Sequence, residues 1–294
     1  MTHTGLIGIG IMGSAMATHL LAAGHDVVGH DTDPDRRAKL ATTGGTAARS
    51  AAEVAATAEV VILSLPTADA VTHSCTEIAE AGRRGTVVVE TSTMPTAVKF
   101  ECRDRLADAG IDLLDCPLSG TGAQALTGDV VVYGSGDAAV FEATRPVLEA
   151  FSRSVRYLGP FGNGSVMKFV ANLLVAVHNV STAEAFALGI RAGLDRTVLW
   201  ESIRVGAGGS VIFDKRGPLM IHDEYLPATA KVSMFVKDVG IVRDYAHHLN
   251  LPTPLLDVTA SLYDRAEADG LGDHDAAALL TLLAGDRLDD RSAQ

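Results

Sequence analysis

Leu6-Ile7-Gly8-Ile9-Gly10-Ile11-Met12-Gly13 is the stretch on which the fold turns. An apolar run leads into three glycines spaced Gly-x-Gly-x-x-Gly, and a stretch through Ala15, Leu20 and Ala22 follows at helical spacing. Strand, glycine turn and helix in that order open a βαβ unit. The first glycine permits the tight turn, the second lets a pyrophosphate approach the backbone, and the third lets the helix pack closely on the sheet. The N–H groups of Ile11, Met12 and Gly13 at the helix start, backed by the helix dipole, suit a negative charge.

Asp31 stands 18 residues after Gly13, at the end of the next apolar run. A carboxylate there accepts hydrogen bonds from the adenosine ribose hydroxyls and repels a 2′-phosphate. The expected ligand is therefore a dinucleotide, NAD in preference to NADP, with Gly8, Gly10, Ile11, Met12, Gly13 and Asp31 as binding residues. Asp31 also opens the turn His30-Asp31-Thr32-Asp33-Pro34, a role that aspartate often fills, and the nearby Arg36 and Arg37 are within reach of a phosphate.

From Leu6 to about Tyr157, short apolar runs alternate with amphipathic stretches, as in repeated βαβ units with a mostly parallel sheet. Strands are expected at 5–9, 26–30, 60–65, 86–90, 111–115, 130–133 and 156–158. Gly159-Pro160-Phe161-Gly162-Asn163-Gly164 is a cluster of breakers, beyond which strand signals nearly vanish. Helices are expected at 165–192, 196–205, 230–248 and 253–269, with a last one from about Asp275 and a polar, frayed tail at 286–294. The fold class is thus α/β: a Rossmann doubly wound sheet over 1–161, then an all-helical domain over 162–294.

The 294 residues allow two domains and a large core, and 47% apolar with 20% charged residues is globular composition. Its net charge of −12, from 24 basic and 36 acidic residues, argues against nucleic acid or an anionic membrane as partner. Cys75, Cys102 and Cys116 are widely spaced and odd in number, which fits neither a disulfide framework nor a zinc site and suits a reducing cytoplasm. MTHTGLIGIG lacks a basic segment ahead of a long apolar run, so no signal peptide is expected. The longest apolar stretch, 166–188, carries Lys168, Asn172, His178, Asn179 and Glu184 and is too polar for a lipid-facing span. Trp200 and the sparse aromatics offer no stacking platform for bases.

Gly162-Asn163-Gly164-Ser165-Val166-Met167-Lys168-Phe169-Val170-Ala171-Asn172 sets an amine and an amide four residues apart on one helix face. A lysine in an apolar setting loses solvation as an ammonium, which lowers its pKa and allows proton exchange near neutrality. A surface lysine with an ordinary i+4 asparagine is the plainer reading. The apolar residues around Lys168 instead predict a buried face, where a lysine needs a reason.

Taken together, these motifs resemble the β-hydroxyacid dehydrogenase family over nearly the whole length. The glycine run matches the family's N-terminal signature, and Asp115-Cys116-Pro117-Leu118-Ser119-Gly120-Thr121 resembles its substrate-binding run. Gly162 through Asn172 matches its Gly-x-Gly-x-x-x-Lys-x-x-x-Asn without a gap, and Lys237-Asp238 its late Lys-Asp pair. The resemblance implies that Lys168 exchanges a proton with the substrate oxygen while the nicotinamide exchanges hydride with the adjacent carbon. It implies that Ser119, Gly120 and Asn172 meet the carboxylate or hydroxyl of a small hydroxy acid, and Thr121 is expected beside them as a further substrate-binding residue. Leu65 and Pro66 would line the cofactor, Thr93 would lie near the nicotinamide ribose, and Lys237 would reach cofactor and substrate. A homodimer or homotetramer without a metal is implied as well.

Each element has a structural alternative: Ser119-Gly120-Thr121-Gly122 as a plain turn, Thr93 as a helix cap ahead of Pro95, and Lys237-Asp238 as a solvated helix surface. Thr121 and Gln124 depart from the family pattern and add hydrogen-bonding groups beside the expected carboxylate pocket. His247-His248 lacks partners at metal spacing and fits a helix C-terminus. An imine reductase-like enzyme is disfavoured by Lys168, and a longer 6-phosphogluconate dehydrogenase by length. A non-catalytic cofactor-binding module is disfavoured by Lys168 with Asn172 in phase.

Overall fold

A computed structural model describes residues 2–285, so the expected tail at 286–294 lies outside the described residues. The chain divides into two compact units between Lys168 and Phe169. The first unit runs β1 (His3–Ile7), α1 (Ile11–Ala22), β2 (Asp26–His30), α2 (Pro34–Thr42), β3 (Thr46–Ala47), α3 (Ala51–Thr57), β4 (Val60–Leu63) and α4 (Ala68–Ala81). It continues through β5 (Val87–Glu90), α5 (Thr96–Asp108), β6 (Asp112–Asp115), β7 (Leu118–Ser119), α6 (Gly122–Leu126), β8 (Val131–Gly134), α7 (Ala138–Ala150) and β9 (Ser154–Tyr157).

Six strands form one sheet in the order β3-β2-β1-β4-β5-β6, every pair parallel. The order reverses between β1 and β4, the switch point at which doubly wound sheets take ligands beyond their carboxyl ends. Successive strand residues face opposite ways: Leu6, Ile62, Val89 and Leu114 pack into one core with Met16, Leu20 and Phe141. Their neighbours Ile7, Val61, Val88 and Leu113 pack into another with Val54, Ile78 and Leu106. Covering both faces is why these strands read as continuous apolar runs rather than as an alternation.

Two of the expected strands do not extend that sheet. β8 pairs antiparallel with the short β7 and parallel with β9, giving a separate three-stranded sheet. Composition sets strand propensity, whereas sheet membership depends on pairing partners, so Val131–Gly134 and Ser154–Tyr157 were legible as strands but not as a second sheet.

Helix α8 (Asn163–Arg191) follows. The second unit adds α9 (Arg196–Arg204), α10 (Val211–His222), α11 (Val232–His248) and α12 (Pro254–Ala266). A wide turn at Glu267–Leu271 and a 3₁₀ turn at Ala276–Ala278 lead into α13 (Leu279–Ala284). Its core joins Phe169, Ala176, Val180, Ala183 and Phe186 of α8 to Phe213, Met220, Phe235, Val239, Tyr263 and Leu280. The sequence did not announce α10, because Gly217-Pro218 interrupts it. Gly217 is required by Trp200, whose ring would lie 2.2 Å from an added Cβ, and Pro218 sits inside the helix. Helix α8 is the one described helix long and apolar enough to cross a bilayer, by length and composition. It nevertheless carries Asn179, fully buried and donating to the Tyr263 hydroxyl at 3.0 Å, as befits a core helix of a folded domain.

Candidate active site

The three glycines after β1 have different reasons to be glycine. Gly8 has φ 89°, and a Cβ there would lie 2.2 Å from the Ser64 carbonyl oxygen. A Cβ on Gly13 would lie 2.0 Å from the Gly8 carbonyl oxygen. These two are imposed by the fold itself. At Gly10 the nearest atom is Arg36 Nη1, at 3.6 Å, so a Cβ there would meet only ordinary contact within the protein. Gly10 is the N-cap of α1 and brings no side chain over its first-turn N–H groups, and Ile11 beside it is 71% exposed. An anion approaching the backbone from outside would need that missing Cβ, so the loop fits a dinucleotide pyrophosphate.

Asp31, just past β2, is buried. Its carboxylate accepts the Ile9 N–H at 2.7 Å and the Asp33 N–H at 2.9 Å, and Arg36 approaches it at 3.3 Å. Burial pushes its pKa upward, but the two backbone donors and the Arg36 guanidinium outweigh that and hold it below the ordinary aspartate value. The acid expected to bind ribose therefore also braces the glycine loop. Neither arginine stands idle: Arg36 lies between Asp31 and Asp33, each at 3.3 Å, and Arg37 donates to the Asp31 carbonyl.

The sheet register aligns the last residues of five strands, His30, Ile7, Leu63, Glu90 and Asp115, along the carboxyl edge. Leu65 and Pro66 continue from β4, and the Leu65 N–H donates to Ser92 Oγ at 2.9 Å. Thr93 lies half-buried in the segment after β5; Pro95 is the N-cap of α5, so Thr93 is not the cap.

In the run after β6, Ser119 ends β7 and Gly120 has φ 150°. A Cβ at Gly122 would lie 2.4 Å from Ile11 Cγ2, so this run packs directly against the glycine loop. Thr121 caps α6 in a reciprocal box with Gln124. The Gln124 side-chain oxygen takes the N–H and hydroxyl of Thr121 at 3.1 and 3.4 Å, and its nitrogen donates to the carbonyl and carboxylate of Asp129 at 3.2 and 2.8 Å. The hydrogen-bonding groups expected to enlarge substrate recognition are thus committed within the protein.

Lys168 lies in the second turn of α8, half-buried. A buried face was expected around it, and the lysine is only partly covered. The inward face of α8 runs through Ser165 and Phe169, while Met167 and Val170 are 39% and 54% exposed, so apolar neighbours in sequence do not enclose the lysine. The helix start is seated on Asp115, at the head of the run through Thr121. The Ser165 N–H and hydroxyl donate to the Asp115 carboxylate at 2.7 and 2.8 Å. A Cβ on Gly164 would lie 2.3 Å from the Tyr133 carbonyl oxygen and 2.5 Å from that of Asp115. This contact explains the second glycine of the Gly-x-Gly before Lys168.

In the second unit, buried Asn172 donates from Nδ2 to Asp238 Oδ2 at 2.9 Å. Asp238 also meets Lys237 Nζ at 3.1 Å, with the lysine 39% exposed. The Lys237-Asp238 pair is therefore only half solvated. The two histidines fall in the last turn of α11. Among the described residues no group of three His, Cys, Asp or Glu side chains is placed to hold a metal.

Sequence reasoning passed over Lys99 and Glu90 and gave Asp115 no role of its own. Lys99 is 1% exposed, and its Nζ lies 2.5 Å from Glu90 Oε2 and 2.8 Å from Asp115 Oδ1. Two signals were present: acids closing the apolar strands Val87–Glu90 and Asp112–Asp115, and Lys99 in phase with Cys102 and Leu106 on the inward face of α5.

Residues 3–159 match the family described as the NAD binding domain of 6-phosphogluconate dehydrogenase. Residues 162–283 match that described as the NAD-binding domain of NADP-dependent 3-hydroxyisobutyrate dehydrogenase. The chain is 34% identical, over 96% of each, to the L-threonate dehydrogenase of Cupriavidus necator. It resembles the crystal structure of 3-hydroxyisobutyrate dehydrogenase from Salmonella typhimurium with a TM-score of 0.88 and 32% identity, covering 96% of this chain and 100% of that one. It also resembles Mycobacterium tuberculosis 3-hydroxyisobutyrate dehydrogenase, solved with L-serine, with a TM-score of 0.90 and 29% identity, covering 97% and 100%.

Proposed function

This chain belongs to the β-hydroxyacid dehydrogenase family, and on that premise we propose that Lys168 is the general acid and base of its reaction. The family's activity is the NAD(P)-dependent exchange of hydride with a small hydroxy acid. The nicotinamide, when bound, supplies the hydride acceptor or donor. Lys168 removes the hydroxyl proton in oxidation and returns it to the carbonyl oxygen in reduction. The first-turn N–H groups of Ile11, Met12 and Gly13 hold the pyrophosphate, with Gly8 and Gly10 shaping the turn. Leu65, Pro66 and Thr93 flank the nicotinamide half. Ser119, Gly120, Thr121 and Asn172 bind the substrate, and Lys237 neutralises anionic groups of cofactor or substrate.

NAD is the preferred dinucleotide, because Asp31 is a carboxylate held ionised where a 2′-phosphate would have to sit. The substrate is a short β-hydroxy acid with a further polar group, threonate or serine in type, as the names of the relatives suggest. Three buried free thiols suit a cytoplasmic setting. Exposed Val170, Leu174 and Leu188 on α8 support a homodimer or homotetramer.

The observation that carries this reading is the ungapped Gly162-to-Asn172 motif on a helix whose start is bonded to Asp115 of the substrate-binding run. Lys168→Ala tests it. With NAD and L-threonate, L-serine or 3-hydroxyisobutyrate, turnover on the best substrate falls by about 10²–10⁴, the usual worth of general acid–base catalysis, while NADH affinity measured by fluorescence stays the same. Wild-type turnover in this variant refutes the assignment.

A further inference from the structure

Glu90 and Asp115 are cross-strand neighbours at the carboxyl edge of the sheet, and neither is exposed to solvent. Two buried like charges side by side repel, and Lys99, reaching in from α5, is their shared counter-ion. Burial works against the lysine's charge, but the two carboxylates more than offset it and raise its pKa above the ordinary lysine value. Such a buried triad is a weak source of stability, because desolvating three charges consumes most of what their attraction returns, and apolar replacements of equal volume often do as well. Its effect is to fix geometry.

The hydrogen bonds show what is fixed. Asp115 Oδ1 receives Lys99 Nζ and the Ser165 hydroxyl, each at 2.8 Å, and Oδ2 receives the Ser165 N–H at 2.7 Å and the Ser135 hydroxyl at 3.3 Å. These four contacts fill both lone pairs of both oxygens. Ser135 Oγ in turn accepts the Gly164 N–H at 2.9 Å. The start of α8 is thereby tied at two successive amides and one hydroxyl, which sets its rotation as well as its position. Lys168 follows Ser165 by one turn, on the same side of the helix. On the other side of Lys99, Glu90 Oε1 accepts the Ser92 N–H at 2.8 Å, and Ser92 Oγ accepts the Leu65 N–H. One lysine therefore links the segment bearing Leu65 and Thr93 to the helix bearing Lys168.

We propose that the Lys99–Glu90–Asp115 cluster is a positioning device that sets Lys168 for proton transfer by fixing the start of α8 against the ends of β5 and β6. The proposal rests on the reading of Lys168 as the acid and base. Lys99, Glu90 and Asp115 act through other residues; none of them is assigned contact with substrate.

Lys99→Met alone would leave two unpaired buried carboxylates and could unfold the chain, so the test uses the double variant Lys99→Met/Glu90→Gln. This variant keeps the single net negative charge of the cluster, and its volume, while removing the linking ammonium. Lys168→Ala is measured beside it, both with NAD and whichever of L-threonate, L-serine and 3-hydroxyisobutyrate turns over fastest. In the double variant kcat is expected to fall about 10- to 100-fold, the cost of roughly ångström-scale misplacement of a catalytic group. The pH profile of kcat shifts, whereas KM, NADH affinity and cooperative unfolding stay as in the wild type. Wild-type kcat and pH profile in the double variant, with Lys168→Ala inactive, overturn the positioning role alone. A kcat loss matched by equal loss of NADH affinity or of cooperative unfolding overturns it as well, since the cluster is then merely structural. Turnover retained in Lys168→Ala removes both this proposal and the reading beneath it.

Discussion

The Asp31 carboxylate accepts the backbone N–H of Ile9 at 2.7 Å, so the acid just past β2 holds the loop that follows β1. Asp31→Asn keeps an acceptor for Ile9 but loses the charge, and NAD affinity should drop about tenfold with the fold intact, a loss of one charge-assisted hydrogen bond. Asp31→Ala strands a buried N–H and should cost about 1–3 kcal/mol in a denaturant titration. The acid limb follows from the depressed pKa. The native carboxyl binds its proton less readily than the unfolded chain, so its stabilisation is complete above ~pH 4, the ordinary aspartate value, and fades as pH falls through the native pKa. In Asp31→Asn that part of the acid dependence disappears; an unchanged acid limb counts against the assignment.

Gly10 and Gly13 should separate binding from folding. Gly13→Ala forces a Cβ to within 2.0 Å of the Gly8 carbonyl oxygen and should lower stability by roughly 3 kcal/mol, as overpacking does. Gly10→Ala meets nothing closer than 3.6 Å and should cost about 1 kcal/mol or less, the difference between glycine and alanine at an N-cap. Its NADH affinity should nevertheless collapse. Equal melting temperatures for the two variants, or tight NADH binding by Gly10→Ala, would contradict this division.

Gln124 should prove silent toward the substrate. Its side chain is engaged by Thr121 and Asp129, so Gln124→Ala is expected to lose about 1 kcal/mol with the capping box. Relative kcat/KM across a panel of hydroxy acids should stay unchanged. A reordered panel would show that the amide reaches the substrate.

Thiol chemistry gives an independent check of the first unit's core. Cys75, Cys102 and Cys116 are at most 1% exposed. Burial pushes the Cys116 thiol up, and the neighbouring Asp115 charge adds to the effect. A disulfide-exchange reagent should leave the native protein essentially unlabelled and titrate all 3 cysteines after unfolding. Rapid labelling of the folded chain would place a thiol outside the core.

The primary structure was enough to establish the doubly wound first domain, the glycine turn, Asp31 just past β2 and the helical second half. Each of these depends on local periodicity, on glycine where a Cβ cannot fit, or on a short ordered motif. That Lys168 and Asn172 lie four residues apart on one helix was legible for the same reason. What needed the tertiary structure was every relation between distant segments. Gln124 and Asp129 close on each other across a turn, and β7, β8 and β9 pair into their own sheet. Lys99 sits against Glu90 and Asp115 because parallel register brings two strand-end acids side by side. Charge compensation in a core is set by three-dimensional proximity, and a lysine nine residues after one acid and sixteen before the other gives no sign of it along the chain.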